Sequence, residues 1–153
     1  MTAPAPLNVF ITDRQRTLRV PDERVREAAE AAAGYAGGPS GGLSVVIVGD
    51  RRMRRLNREF AGVSGTTDVL AFDLSEGPRA GGDDLAGEVI VNASLAVREA
   101  GERGREAADE LLLYVVHGVL HLGGYRDDDE AARRRMRAAE RAVMRKIGGG
   151  GGA

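Results

Sequence analysis

An α+β fold, a small mixed sheet covered by helices, is what this 153-residue sequence predicts, and three observations carry that expectation. Short β-branched apolar runs interleave with longer stretches of helical period along the chain. The length suits one compact domain with a real core and is too short for two of ordinary size. One stretch, Leu111-Leu112-Leu113-Tyr114-Val115-Val116, has no polar stripe and reads as part of a helix buried on every side.

Leu7 to Ile11 reads as a short first strand. Pro21 opens a helix to about Ala33, because proline in the first turn lacks only an N–H that has no helical partner there. Gly37-Gly38-Pro39-Ser40-Gly41-Gly42 is a flexible loop, and Leu43 to Val48, a continuous β-branched run, is a buried strand. Asp50 is expected to cap an arginine-rich helix that ends near Phe60. Val69 to Leu74 and Glu88 to Val91 are two further strands, separated by the polar, glycine-rich stretch Ser75 to Asp84, which reads as mobile. Asn92 or Ser94 caps a helix to about Ala100, the buried helix runs from about Glu106 to Leu122, and Asp127 or Asp128 starts a charged helix to Lys146. The expected organisation is one domain over 1–147 and a disordered glycine-rich tail over 148–153.

Charge is nearly balanced, at −1. No global basicity announces a nucleic-acid binder, so any such contact must use local patches and weaken steeply with salt. Lys146 is the sole lysine among 22 basic residues, and the arginines are spread over every helix, which reads as a bias toward GC-rich codons. Cysteine is absent, which excludes disulfides, thiol chemistry and four-thiolate structural zinc. No secretory signal is visible, and no apolar run reaches the roughly 18 residues a membrane span needs, so a cytoplasmic protein is expected.

The chain's only two histidines, His117 and His121, lie four apart inside its most apolar stretch. Residues about one turn apart share a helix face, so the two imidazoles can converge on a single cation. Gly123-Gly124 is a strong stop, since glycine readily takes the left-handed conformation that reverses a chain after a helix. The turn returns Asp127, Asp128 and Asp129 toward the imidazoles. His-x3-His-x5-Asp has the ligand spacing of the elongated zinc-hydrolase pattern, and Asp127 occupies its last place. The competing reading is a pair of hydrogen-bonded core histidines, but burying two unpartnered imidazoles is costly, and a cation shared with a carboxylate satisfies both.

Two histidines and a carboxylate leave a fourth position for water, the arrangement of catalytic rather than structural zinc. Imidazole suits zinc, and nickel or copper could fill the same site. Gly118 stands where HExxH peptidases carry their glutamate base, which argues against a conventional peptidase. Glu110, two turns before His117, could orient an imidazole, but its place near the helix start predicts solvent exposure.

At this point a resemblance becomes specific. His117 to Asp127 resembles the signature of the YbeY family, bacterial rRNA maturation factors described as metal-dependent, single-strand endoribonucleases. That signature reads HGxLHLxGYDH, and the chain matches it through His117, Gly118, Leu120, His121, Leu122, Gly124 and Tyr125. A second block, Leu56-Asn57-Arg58-Glu59-Phe60, then Gly62 and Thr67-Asp68-Val69-Leu70-Ala71-Phe72, resembles the family's LNxxFRG…TDVLSF. A third, Gly87-Glu88-Val89-Ile90-Val91-Asn92, resembles its GDIVIS strand. The three blocks stand in the family's order and cover the chain from about Val45 to Tyr125.

The resemblance implies a mostly parallel sheet with one antiparallel strand, a metal site at the mouth of a cleft, and Thr67 to Leu74 as part of the cleft wall. It implies a metal-dependent hydrolase-like domain with one Zn2+ per chain, held here by His117, His121 and Asp127. Its substrate would be single-stranded RNA, in rRNA maturation and ribosome quality control, and its partners the small ribosomal subunit and its assembly factors. Arg55, Arg58, Arg126, Thr67 and Asp68 are the candidate substrate contacts, although Thr67 and Asp68 could equally cap the turn that leads into their strand. Proton removal falls to the metal, to Asp128 or to the RNA's own 2′-hydroxyl.

Three departures from the family pattern carry information. Asp127 replaces the third histidine, and an anionic ligand makes the metal a weaker Lewis acid and its water less acidic. Arg126 stands where the family has aspartate; taken with Asp127 in place of histidine, the pair goes from a formal −1 to 0, which makes the rim one unit more positive and suits a phosphodiester. Ala61 stands where the family has an arginine that lines the substrate channel, and Arg58, three residues earlier, reaches the same space if the backbone between them is helical. Two other functions compete with the nuclease: a non-catalytic ribosome-assembly factor whose metal fastens helix to turn, and a hydrolase of peptides or small molecules.

Overall fold

The computed structural model describes residues 7–75 and 85–148. Within them the elements run β1 (Leu7–Asp13), α1 (Asp22–Ala36), β2 (Gly41–Val48), α2 (Asp50–Ala61), β3 (Val69–Asp73), β4 (Leu85–Asn92), α3 (Ala93–Arg103), α4 (Ala107–Leu122) and α5 (Glu130–Lys146). The strands form one sheet in the order β1-β2-β4-β3. β1 and β4 pair parallel to β2, while β3 pairs antiparallel to β4, so the sheet is mixed and mostly parallel. Residues 76–84, which hold nearly all of the expected mobile stretch, and the tail from 149 onward lie outside the described residues, as do 1–6.

Alternation along the strands decides which helix covers which face. Val45 and Ile47 of β2, Val89 and Val91 of β4, and Val69 and Ala71 of β3 face the main core, which α1, α3, α4 and α5 complete. Val46, Val48, Ile90, Leu70 and Phe72 face the other way and are covered by Met53 and Leu56 of α2. The arginine-rich helix and the histidine helix therefore lie on opposite faces of the sheet.

α4 is buried nearly all round, as its composition predicts. Leu111, Leu112, Val115, Val116, Val119 and Leu120 are essentially inaccessible, each contributing about 1.5–3 kcal/mol relative to exposure. Gly118 lets the helix lie close on the sheet: a Cβ there would meet Val89 Cγ1 at 2.6 Å and Val69 Cγ2 at 3.0 Å.

Two local expectations about helix starts are corrected, and a third, which left two residues open, is settled. Asp50 does not cap α2, whose N-cap is Gly49; its carboxylate instead accepts from Asn92 Nδ2 at 2.8 Å and Thr66 Oγ1 at 3.1 Å and is paired with Arg98. These partners, Arg98 foremost, hold its pKa down at about 2 against the opposing effect of burial. Asn92, rather than Ser94, caps α3 by accepting from Leu95 N. Neither Asp127 nor Asp128 starts α5: Asp129 does, its side chain accepting from Ala132 N at 2.7 Å. The helix begins late enough to leave Asp127 in the turn.

Among the described residues, no helix is long and apolar enough to cross a membrane.

Candidate metal centre

His117 and His121 occupy the last turns of α4 and are partly exposed. After Leu122 the chain reverses sharply. Gly123 N–H donates to the Val119 carbonyl at 2.9 Å and Tyr125 N–H to the Leu120 carbonyl at 3.0 Å. Gly124 takes φ +107°, a conformation that disfavours a side chain. Gly123 has helical φ and is needed for space, since a Cβ there would meet the Gly38 carbonyl oxygen at 2.6 Å. This reversal brings Asp127 back over the imidazoles.

The three side chains converge. His121 Nε2 lies 3.0 Å from His117 Nε2 and 3.2 Å from Asp127 Oδ2, and His117 Nε2 lies 3.5 Å from the same oxygen. Bonds of about 2.0–2.1 Å to a tetrahedral zinc place ligand atoms about 3.3 Å apart. The observed edges bracket that value. Among the described residues, this is the group of histidines and carboxylates with ligand atoms close enough to share one ion.

The outer hydrogen bonds explain why a cation belongs there. His121 Nδ1–H donates to the Tyr125 carbonyl at 3.0 Å, and a carbonyl can only accept. His117 Nδ1 faces Glu140 Oε2 at 2.5 Å. With both Nδ1 atoms protonated, neutral imidazoles present both Nε2 lone pairs to each other and to a carboxylate oxygen. Three acceptors within 3.5 Å repel unless a cation or a proton lies between them. Burial opposes charge on His117, yet the hydrogen bond and charge of Glu140, with the carboxylates of Asp68 and Asp127, outweigh it and raise the pKa of the ring.

The site is open on one side. The side chains of His117, His121 and Asp127 are 23, 30 and 45% exposed, which leaves room for a further ligand.

The remaining expected residues fall into separate places. Arg126 and Asp128 project from the same turn into solvent and pair with each other at 3.6 Å. Asp68 stands at the head of β3, its carboxylate accepting from Val69 N–H at 2.8 Å and from Thr67 Oγ1 at 3.3 Å, while Asn92 Nδ2 donates to the Thr67 carbonyl. Both therefore cap the turn before the strand, and Asp68 adds its charge to the field at His117. Arg55 and Arg58 are exposed on α2, across the sheet from α4, with helical backbone from Arg58 to Ala61.

Glu110 contradicts both readings of it. It is fully buried, and its two oxygens meet Arg103 at 3.0 Å and Arg105 at 3.3 Å. The carboxylate that orients an imidazole is Glu140, which sequence reasoning missed. Its signal was present: Glu140 lies four residues after Met136 and three before Val143, on the stripe that α5 buries.

Fold and site together define a class: a small α+β domain carrying an open cluster of two histidines and a carboxylate at the end of a buried helix. The family model for Endoribonuclease YbeY matches residues 10–148. The chain is 40% identical over 122 residues to Endoribonuclease YbeY of Geobacter sulfurreducens, covering 78% of this chain and 80% of that one. It is 46% identical over 109 residues to Endoribonuclease YbeY of Moorella thermoacetica, covering 67% and 69%. A Thermotoga maritima protein known from its solution structure shares the fold, with a TM-score of 0.58 at 22% identity over 92% of this chain and 90% of that one. The chain belongs to the Endoribonuclease YbeY family.

Proposed function

We propose that this protein is a metal-dependent, single-strand endoribonuclease of the cytoplasm that acts on rRNA in its maturation and in ribosome quality control. The observation that carries the metal dependence is the convergence of three acceptors, with both Nδ1 atoms already engaged, on one point open to solvent.

His117, His121 and Asp127 would hold one Zn2+. The spacing also accepts nickel or copper. When bound, the ion supplies Lewis-acid polarisation of a phosphoryl oxygen and lowers the pKa of water. Glu140 and the Tyr125 carbonyl hold the two rings by Nδ1, so each Nε2 stays aimed inward. In this reading Arg126, on the same turn as Asp127, would neutralise charge that develops on the phosphate, and Asp128, which pairs with it at 3.6 Å, is a candidate proton acceptor. Arg55, Arg58, Thr67 and Asp68 are the further substrate contacts of this reading. Its partners are single-stranded RNA and the small ribosomal subunit with its assembly factors.

The test is cleavage of single-stranded rRNA fragments by the metal-loaded protein, with and without chelator, beside His121→Ala. Cleavage is expected to require the metal and to be lost in the variant. Cleavage that survives chelation would overturn the metal reading. A protein that retains zinc, binds RNA and never cleaves it is instead an assembly factor whose metal fastens α4 to the turn.

A further inference from the structure

α5 and the start of α4 flank a groove of about 850 Å3. Its walls carry Arg105, from the link between α3 and α4, and Arg137, Arg141 and Arg145 from α5. Glu140 lines the same groove and hydrogen-bonds His117, so the groove and the histidine cluster share a residue. We propose that this groove binds the sugar-phosphate backbone of single-stranded RNA as the strand leaves the cleavage site. The proposal rests on the endoribonuclease reading, and it assigns to α5 contacts that the sequence placed on α2.

Charge distribution is the first argument. Arg133, Arg134, Arg135, Arg137, Arg141, Arg145 and Lys146 against Glu130 and Glu140 give α5 a formal +5 in a chain whose net charge is −1. Everything outside this helix therefore sums to −6. α2, the other arginine-rich helix, reaches only +3 from five arginines and two acids. The basicity that the whole chain lacks is concentrated on the helix that touches His117.

The groove's acids are largely engaged elsewhere. Asp109 is paired with Arg24 at 3.0 Å and Glu140 with His117, leaving Glu106 as the remaining carboxylate of the wall. Arg105 already shares the buried Glu110. Arg137, Arg141 and Arg145 are exposed along α5.

Spacing is the second argument. These three arginines recur every fourth residue on one side of the helix, and four residues rise about 6 Å. That step is on the scale of successive phosphates along an extended strand. A guanidinium fork matches phosphate oxygens two at a time, which makes arginine the suited cation. The groove walls contain no aromatic ring on which a base could stack. The contact is therefore to backbone, and no sequence preference should arise from it.

The test uses the full-length, zinc-loaded protein and a fluorescently labelled single-stranded RNA, with affinity measured by anisotropy over a range of salt concentrations. Arg141→Ala/Arg145→Ala should weaken binding by roughly tenfold and flatten the slope of log affinity against log salt by about 1.4, two phosphates at about 0.7 each. Metal content should be unchanged. The charge-keeping pair Arg141→Lys/Arg145→Lys should retain most of the slope, which separates charge from any folding defect. Arg55→Ala/Arg58→Ala on α2 is the comparison arm and should flatten the slope less. Unchanged affinity and slope in the α5 variant, with RNA still bound and cleaved, would overturn the groove alone. If the wild-type protein neither binds nor cleaves RNA, the function proposed above falls first.

Discussion

The two ends of α4 hold polar side chains against the same apolar helix and treat them in opposite ways. At its start Glu110 is fully buried, and each carboxylate oxygen meets an arginine. At its end His117 and His121 are partly exposed, each with one nitrogen engaged and the other turned toward an acceptor. The first cluster is closed: every charge has a partner, and it fastens the link from α3 to α4. The second turns three acceptors toward one point where a cation fits. That difference separates a polar cluster that holds a fold together from one whose donor atoms are arranged to share an ion.

The comparison breaks hardest at the closed end. Arg103→Ala/Arg105→Ala strands a buried carboxylate, which should cost about 3–5 kcal/mol of stability in urea denaturation. Glu110→Gln removes the buried charge itself and leaves only exposed arginines, so it should cost distinctly less. Neither change should alter the zinc affinity of the folded protein. Equal losses from the two variants would mean that Glu110 is not the costly member of the cluster.

At the open end the expected effect is on affinity. Glu140→Ala frees the His117 ring and should weaken zinc binding by about 10–100-fold, measured by competition with a chromophoric chelator. Glu140→Gln keeps an oxygen that can accept from Nδ1–H and should recover much of that loss. If alanine and glutamine behave alike, the carboxylate does not position the ring through this hydrogen bond.

The smallest effect lies across the sheet, where Asp50 joins α2 to α3. Its folded pKa of about 2 lies below the ordinary 3.8, so its contribution is present above about pH 4 and is lost as pH falls through 2. Part of the site is solvated, which limits the contribution to roughly 1 kcal/mol. Asp50→Asn should therefore be less stable than wild type at pH 6, and the gap should narrow as pH falls below about 4 and close only below pH 2. A gap as wide at pH 2 as at pH 6 would assign the loss to packing rather than charge.

Much of the architecture was legible because it is written in short-range pattern. The four strands and five helices of the described residues follow from β-branched runs and helical periods, and the burial of α4 from its missing polar stripe. His117, His121 and Asp127 were legible for the same reason: helix geometry and a glycine reversal bring residues within one short segment together. The cap positions slipped by a residue or two because Gly49-Asp50 and Asp127-Asp128-Asp129 offer several chemically similar starts. Only packing selects among them, by drawing Asp50 to Arg98 and leaving Asp129 to Ala132.

By itself, the sequence determined the order of the elements, the turn after α4 and the spacing of the three convergent side chains, all products of local backbone geometry. Tertiary structure alone decided that α2 covers the face of the sheet away from the histidines, that Glu110 is closed off by two arginines, and that Glu140 rather than Glu110 holds His117. Glu140 lies 23 residues beyond the ring it orients. No local rule reaches that far: which carboxylate meets the imidazole depends on how α5 packs across α4, and that follows from burying both apolar stripes at once.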